Sequence, residues 1–434
     1  MEIKRDRYLN ALIRKMGNGM IKVITGLRRA GKSYLLFKLF KNYLEEQGAD
    51  EDHIISIPLD DDANKKYWDP EFLSEYIRSK IKKDGKMTYV FLDEIQFVVA
   101  KENPYVPGTK IDFQTVLLGL SKIPGVDLYV TGSNSKMLSS DIATEFRGRG
   151  DDIFVSPLTY KEIADSLGDD GGKTLEKYLY YGGMPYLVNL QDDIEKTKYL
   201  SKLFSEIYIK DILDRYSIRK ETFILNDLMN FLASSTGSLT NATKLANTFN
   251  SVKHVKIKSE TIERYLEYFE DSFIVKKALQ YDIQEKRYID SPRKYYFSDI
   301  GLRNARLDFA DMEMPHIMEN VIFNEMIARD FSVRVGSLNY NFKDDSGNSK
   351  RKRLEIDFLC SKGSEKIYIQ SAFDLPTKEK MEQETRGLTR LNDGFRKIVV
   401  VRYPIVPRYD DKGILYVGLQ DFLKDEKYTQ GIYQ

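Results

Sequence analysis

Gly26-Leu27-Arg28-Arg29-Ala30-Gly31-Lys32-Ser33 is a complete G-x-x-x-x-G-K-[ST] run. It follows Ile21-Lys22-Val23-Ile24-Thr25, short, β-branched and apolar as a buried strand is. It precedes Ser33-Tyr34-Leu35-Leu36-Phe37-Lys38-Leu39-Phe40, which reads as a helix. Strand, loop and helix form the context in which this spacing folds around phosphate. Gly26 and Gly31 let backbone N–H groups close on phosphate oxygens, and the helix N-terminus adds partial positive charge. Lys32 is expected to reach the β- and γ-phosphates and Ser33 to hold Mg²⁺. An ordinary glycine turn is the alternative, which the flanking runs disfavour. The expected ligand is a nucleoside triphosphate with Mg²⁺.

Working outward, Tyr89-Val90-Phe91-Leu92-Asp93-Glu94 is an apolar strand ending in two acids, the Walker B form. Asp93 is expected at the strand's carboxyl end, holding Mg²⁺ through water, and Glu94 is expected to polarise the attacking water. Phosphoryl transfer needs positioned groups and neutralised charge, so these two carboxylates are the pair it calls for. Two solvated acids after a buried strand would be the plainer reading. A third apolar strand, Asp127 to Thr131, runs into Gly132-Ser133-Asn134-Ser135-Lys136. Asn134 fits the polar position that caps the strand beside Walker B, the sensor-1 position of additional-strand ATPases. Arg147 and Arg149, in Glu145-Phe146-Arg147-Gly148-Arg149, have two readings. They stabilise the γ-phosphate of a neighbouring subunit, which implies a homo-oligomer, or they form a solvated basic turn.

Composition narrows the rest. At 434 residues the chain is too long for one core, so about two to four domains are expected. Lys+Arg 67 against Asp+Glu 66 leaves +1 overall, so any nucleic-acid surface must be a local patch. The single cysteine, Cys360, excludes a disulfide framework and a cysteine zinc site. Three scattered histidines, His53, His254 and His316, argue against a histidine metal cluster. No signal peptide or membrane-length apolar run is evident, so a soluble, cytoplasmic protein with no membrane partner is expected.

Strands are expected at roughly 21–25, 53–59, 87–93, 127–131 and 152–156, alternating with helical patterns. Such alternation predicts a parallel sheet covered by helices, with the ligand at the strands' carboxyl ends. Residues 98–112 read as a surface loop. After Pro157 the texture becomes helical, including 173–181 and 194–216, with Tyr181-Gly182-Gly183-Met184-Pro185 between them.

Taken together, these motifs resemble a widespread prokaryotic family of AAA+-type ATPases. The residues that carry the likeness are Gly26 to Ser33, Phe91-Leu92-Asp93-Glu94-Ile95-Gln96 and Thr131-Gly132-Ser133-Asn134-Ser135-Lys136-Met137-Leu138. Arg147-Gly148-Arg149 and Tyr181 to Pro185 complete the set. The likeness spans essentially the whole chain. It implies an α/β P-loop NTPase core with a parallel sheet, a helical lid, a winged helix and a C-terminal restriction-nuclease-like α/β domain. The corresponding boundaries are 1–158, 159–230, 231–285 and 286–434. It further implies ATP binding and hydrolysis, and it leaves the biological process open. Gly183-Met184-Pro185 is also similar to the Gly-x-Pro turn of signalling NTPases that act as switches. A simple helix–helix turn is its alternative.

Asn241 to Phe249 and Ser259 to Phe269 read as a helix-turn-helix pair, with Phe273 to Leu279 as a wing strand. A DNA-reading second helix needs cationic or amide side chains near its N-terminus. Lys256, Lys258 and Arg264 are offset there by Glu260, Glu263, Glu267 and Glu270, so packing against the ATPase core or another protein is at least as well supported as DNA binding. In the last region Glu319 and Asp357 stand at acidic positions of a PD-(D/E)xK pattern. The strand that should end in (D/E)-x-K carries Gln370 and Ala372 instead. A neutral amide is a poor metal ligand and alanine brings no charge, so cleavage of DNA is not expected. Lys350-Arg351-Lys352-Arg353, after Asp345-Ser346-Gly347-Asn348, reads as a solvated hairpin. The expected function is an ATPase switch or remodelling protein whose C-terminal half binds a protein partner or DNA. A DNA-processing nuclease is the alternative.

Overall fold

In the computed structural model, β1 (Ile21–Thr25) is buried at all five residues, as a strand covered on both faces must be. The structure describes residues 3–133, 148–168, 172–219, 222–252, 255–310, 312–343 and 349–430. Asn134 and Arg147 lie outside them. The chain divides into two compact units, Glu2–Pro157 with Asp271–Phe273, and Leu158–Glu270 with Ile274–Gln434.

The first unit is built on β1, β2 (Ile54–Pro58), β3 (Thr88–Asp93), β4 (Val126–Gly132) and β5 (Gly150–Phe154). All pair in parallel, in the order β2-β3-β4-β1-β5. Alternating side chains feed two cores. Val23, Ile57, Leu92 and Val130 pack with Leu73, Ile77 and Leu117 on one face; Ile24, Phe91, Tyr129 and Ile153 pack with Leu35, Leu39 and Phe40 on the other. Helix Pro70–Lys80 starts with proline at its first position under an Asp69 cap, and Asp112 caps helix Phe113–Leu120. The stretch 98–112 contains a short hairpin, Lys101–Glu102 against Lys110–Ile111. Lys22 would be costly at the centre of the sheet, but it is paired with Asp127, which also accepts from Tyr129 (2.7 Å) and Gly17 N–H (2.8 Å).

The second unit carries a mixed eight-stranded sheet: β6 (Val275–Asp282), β7 (Arg287–Phe297), β8 (Ser332–Lys343), β9 (Ser349–Lys362), β10 (Glu365–Ala372), β11 (Arg396–Val401), β12 (Arg408–Tyr409) and β13 (Ile414–Gly418). Their order is β12-β13-β11-β10-β9-β8-β6-β7. Helix Met314–Ala328 packs Val321, Ile322 and Met326 on one face with Phe358, Ile369 and the buried Cys360. Leu388 of helix Lys378–Thr389 covers Ile356, Tyr368 and Val399 on the other. The expected wing strand is β6, which pairs antiparallel with β7 and parallel with β8. The expected boundary at 285–286 therefore runs through a hairpin of this sheet. Helices Ala242–Val252 and Ser259–Asp271 precede it.

The Tyr181–Pro185 run has a packing explanation within this unit. A Cβ on Gly183 would lie 1.9 Å from the carbonyl oxygen of Leu158, so backbone presses on backbone there. Gly183 N–H donates to buried Asp299 at 2.7 Å, and Leu158 N–H donates to the Gly183 carbonyl at 2.8 Å. Among the described residues no helix is long and apolar enough to cross a membrane.

Candidate nucleotide site

The phosphate loop leaves the carboxyl end of β1 and runs into the helix that begins at Lys32. Gly26 has φ +145°, and a Cβ there would meet the Val155 carbonyl oxygen at 2.1 Å, so no larger residue fits beside β5. Lys32 is 3% exposed and donates to the carbonyls of Gly26 (3.1 Å) and Leu27 (3.2 Å). Burial pushes its ammonium below the ordinary lysine range, while the charges of Glu94 and Asp93 pull it back. A desolvated cation of this kind is the partner an anionic phosphate oxygen needs.

Asp93 ends β3 and is buried. Burial pushes its carboxyl up, and hydrogen bonds from Ser33 and Thr131 oppose that shift. Thr131, on the adjacent β4, donates to Asp93 and accepts the N–H of Glu94 at 2.9 Å. Glu94 itself has φ +51°, a left-handed conformation unfavourable for a side chain with a Cβ. That turn is held by Thr131, and the Glu94 carboxylate accepts from Ser133 (3.2 Å) and from Gln96. Ser33 and Asp93 are hard oxygen donors hydrogen-bonded to one another, so the donor set fits Mg²⁺ beside the Lys32 ammonium.

The structure thus brings Gly26, Gly31, Lys32, Ser33, Asp93 and Glu94 together. It does not bring Arg149 to them. Arg149 precedes β5, and its carbonyl accepts the N–H of Ile21 at the amino end of β1 (2.8 Å). The phosphate loop lies at the other end of that strand, roughly 16 Å away at about 3.3 Å per residue. An Arg149 acting on a γ-phosphate would have to serve another subunit's site. Two groups that motif reading missed support the loop. Arg5 is buried and donates to the carbonyls of Ala30 (3.1 Å) and Ser156 (2.7 Å), tying the loop to the chain after β5. Thr131 belongs to the Thr131–Leu138 motif, but only its pairing across to Asp93 reveals what it does.

In the second unit Glu319 and Asp357 also meet, around a cation. Lys294 of β7 is 2.8 Å from Glu319 Oε1 and 2.7 Å from Glu355 Oε1. Tyr296 donates to the same Glu319 oxygen at 2.6 Å. Burial works against the Lys294 charge, yet Glu319, Asp357 and Glu355 together hold its ammonium above the ordinary lysine range. Asp357 is pushed well up, first by burial and then by the Glu319 charge, while Lys294 opposes the shift. Gln370 Oε1 faces the N–H of Asp357 at 3.5 Å, and Ser371 N–H donates to Asp357 Oδ2 at 2.8 Å.

A parallel sheet with β4 inserted between β1 and β3, a Gly-Lys-Ser loop after β1 and paired acids ending β3 define a P-loop ATPase of the AAA+ type. The AAA domain family matches residues 18–164, and a domain of unknown function (DUF8612) matches residues 172–313. An uncharacterized protein of Haemophilus influenzae is 32% identical over 421 residues, covering 96% of this chain and 97% of its own length. The chain belongs to the family of that protein. An uncharacterized protein of Methanocaldococcus jannaschii is 28% identical over 437 residues, covering 96% of this chain and 89% of its own. The chain is also similar to a solved Walker-type ATPase of Pyrococcus abyssi, with TM-score 0.47 and 14% identity over 70% of this chain and 96% of that one.

Proposed function

We propose that this protein binds ATP with Mg²⁺ and hydrolyses it, and that it works as a switch or remodelling ATPase whose C-terminal half engages a macromolecular partner. The observation that carries this reading is the chain of contacts from the phosphate loop to the two acids: Ser33 bonds Asp93, and Thr131 of β4 bonds both Asp93 and the backbone N–H of Glu94. Lys32 and the loop N–H groups hold the phosphates, and Ser33 and Asp93 hold the metal, which neutralises phosphate charge when bound. Glu94 takes the proton of the attacking water. Arg149, and Arg147 and Asn134 from the sequence, act at the γ-phosphate, with Arg149 reaching a neighbouring subunit of a homo-oligomer.

In the same reading, residues 159–230 form a lid, 231–285 a winged helix and 286–434 a restriction-nuclease-like domain that does not cut DNA. The neutral Gln370, standing where cleavage needs an anionic metal ligand, supports this over the nuclease alternative, even though Lys294 supplies a cation beside Glu319 and Glu355. The test separates binding from chemistry. Glu94→Gln should bind ATP as the wild type does in isothermal titration, yet release phosphate about 10²-fold more slowly, the usual loss for a missing general base. Lys32→Ala should lose the binding itself. Equal phosphate release by Glu94→Gln and wild type would refute the role given to Glu94.

A further inference from the structure

The hairpin of β8 and β9 outgrows its own core. Its last core pair is Leu338 with Leu354, and five more rungs follow: Asn339 with Arg353, Tyr340 with Lys352, Asn341 with Arg351, Phe342 with Lys350, and residue 343 with Ser349. Neither β6 nor β10 pairs with these rungs: β6 meets β8 at residues 335–337, and β10 meets β9 at residues 358–362. Residues 349–353 are all exposed, in contrast to the run of five buried residues at 356–360. The result is a two-stranded ribbon extending roughly 16 Å past the core, at about 3.3 Å per rung. An isolated two-stranded ribbon is marginal in water, so burial does not explain its length.

Its side chains do suggest a use. Residues directly opposite one another share a face, which puts Asn339, Asn341, Arg351 and Arg353 on one side and Tyr340, Phe342, Lys350 and Lys352 on the other. Arg390 stacks on Tyr340 at the ribbon's base, 4.2 Å from the ring centre, and Phe342 is 38% exposed. Arginine and asparagine are the side chains that read guanine and adenine edges in pairs of hydrogen bonds, and lysines hold phosphates. A two-stranded ribbon is also one of the shapes the major groove admits. Carboxylates are present but outnumbered: Asp344 and Asp345 follow β8 in the sequence, and Glu285 lies 3.8 Å from Arg351.

We infer that the β8–β9 ribbon is a docking element for double-stranded DNA, entering the major groove with the Asn339, Asn341, Arg351 and Arg353 face toward the bases. This rests on the reading that the C-terminal half engages a macromolecule, and it names that partner and its surface.

The test is fluorescence anisotropy of the full chain with a short labelled duplex, without nucleotide, across a salt series. Binding is expected in the micromolar range or tighter at low salt, and Arg351→Glu with Lys352→Glu should weaken it at least about tenfold. That double variant should also flatten the salt dependence by about one in slope, from the loss of the phosphate-holding Lys352. Asn341→Ala should weaken binding without changing the salt slope, as a base-facing amide would. All these residues are exposed or half-exposed, so melting temperature and ATP turnover should match the wild type and exclude misfolding. No binding by wild type at low salt, equal affinity in the double variant, or tighter binding of single strands or polyglutamate would overturn the inference. Because nucleotide is omitted, its failure leaves the ATPase reading standing, and an inactive ATPase leaves the duplex result decisive.

Discussion

Asp299 is 3% exposed, and its carboxylate accepts backbone N–H groups of Gly183 (2.7 Å) and Leu302 (3.1 Å). Burial pushes it up from the ordinary 3.8 to about 6, against the hydrogen bonds from Gly183, Leu302 and Gly301 that favour the charged form. The folded chain therefore holds this proton more tightly than the unfolded chain does. Its stabilising contribution is complete below about pH 3.8 and is lost as pH rises through about 6. A rise of that size corresponds to roughly 3 kcal/mol. Asp299→Asn keeps an acceptor and removes the titration. Denaturant unfolding of both proteins across this range should show wild type losing stability relative to the variant up to about pH 6, then a constant difference. A difference that stays flat would mean Asp299 is not the titrating group. At this scale the sequence was partly legible. Lys32, Ser33, Asp93 and Glu94 stand at fixed spacings that chemistry imposes, so they could be found. Asp299 sits 116 residues from the glycine it holds, and the Gly183–Leu158 contact involves backbone alone, so no side-chain pattern announces either.

Among the elements, β7 does something that strand patterning does not reveal. It supplies Lys294 to carboxylates carried by helix Met314–Ala328 and by β9. Motif reading looks for a lysine at Ala372, finds none and infers a site without a cation. The fold brings one from another strand, and pairing between strands distant in sequence cannot be read from spacing. Lys294→Met should therefore destabilise the protein by about 3–5 kcal/mol at neutral pH, since buried acids lose their counter-charge. The loss should shrink in acid, where those carboxyls can take up protons instead. Chemical denaturation at two pH values checks both points. A neutral-pH cost within about 1 kcal/mol would reduce the pair to the worth of a surface ion pair. The helices and strands themselves were more legible: β1 to β4 match their apolar runs closely, because a strand buried on both faces admits few polar residues.

At the scale of the whole molecule, the two units differ in what their sequences reveal. The first repeats strand and helix, and parallel neighbours joined by crossovers leave few topologies to choose among. The second mixes parallel and antiparallel pairs among eight strands, so its order depends on contacts made far along the chain. It also holds the one cysteine of the 434 residues. Cys360 is 0% exposed, and burial pushes its thiol far above the range in which it ionises at neutral pH. An alkylating reagent finds no thiolate until β9 separates from its neighbours. The native protein should therefore resist maleimide, with a labelling rate that follows the unfolding of this sheet as denaturant is raised. Mass spectrometry would count zero or one adduct per chain; prompt modification without denaturant would contradict the burial. Opening of the first unit alone adds no mass. The lone thiol thus serves as a timepiece for one half of the chain, started only when that half comes apart.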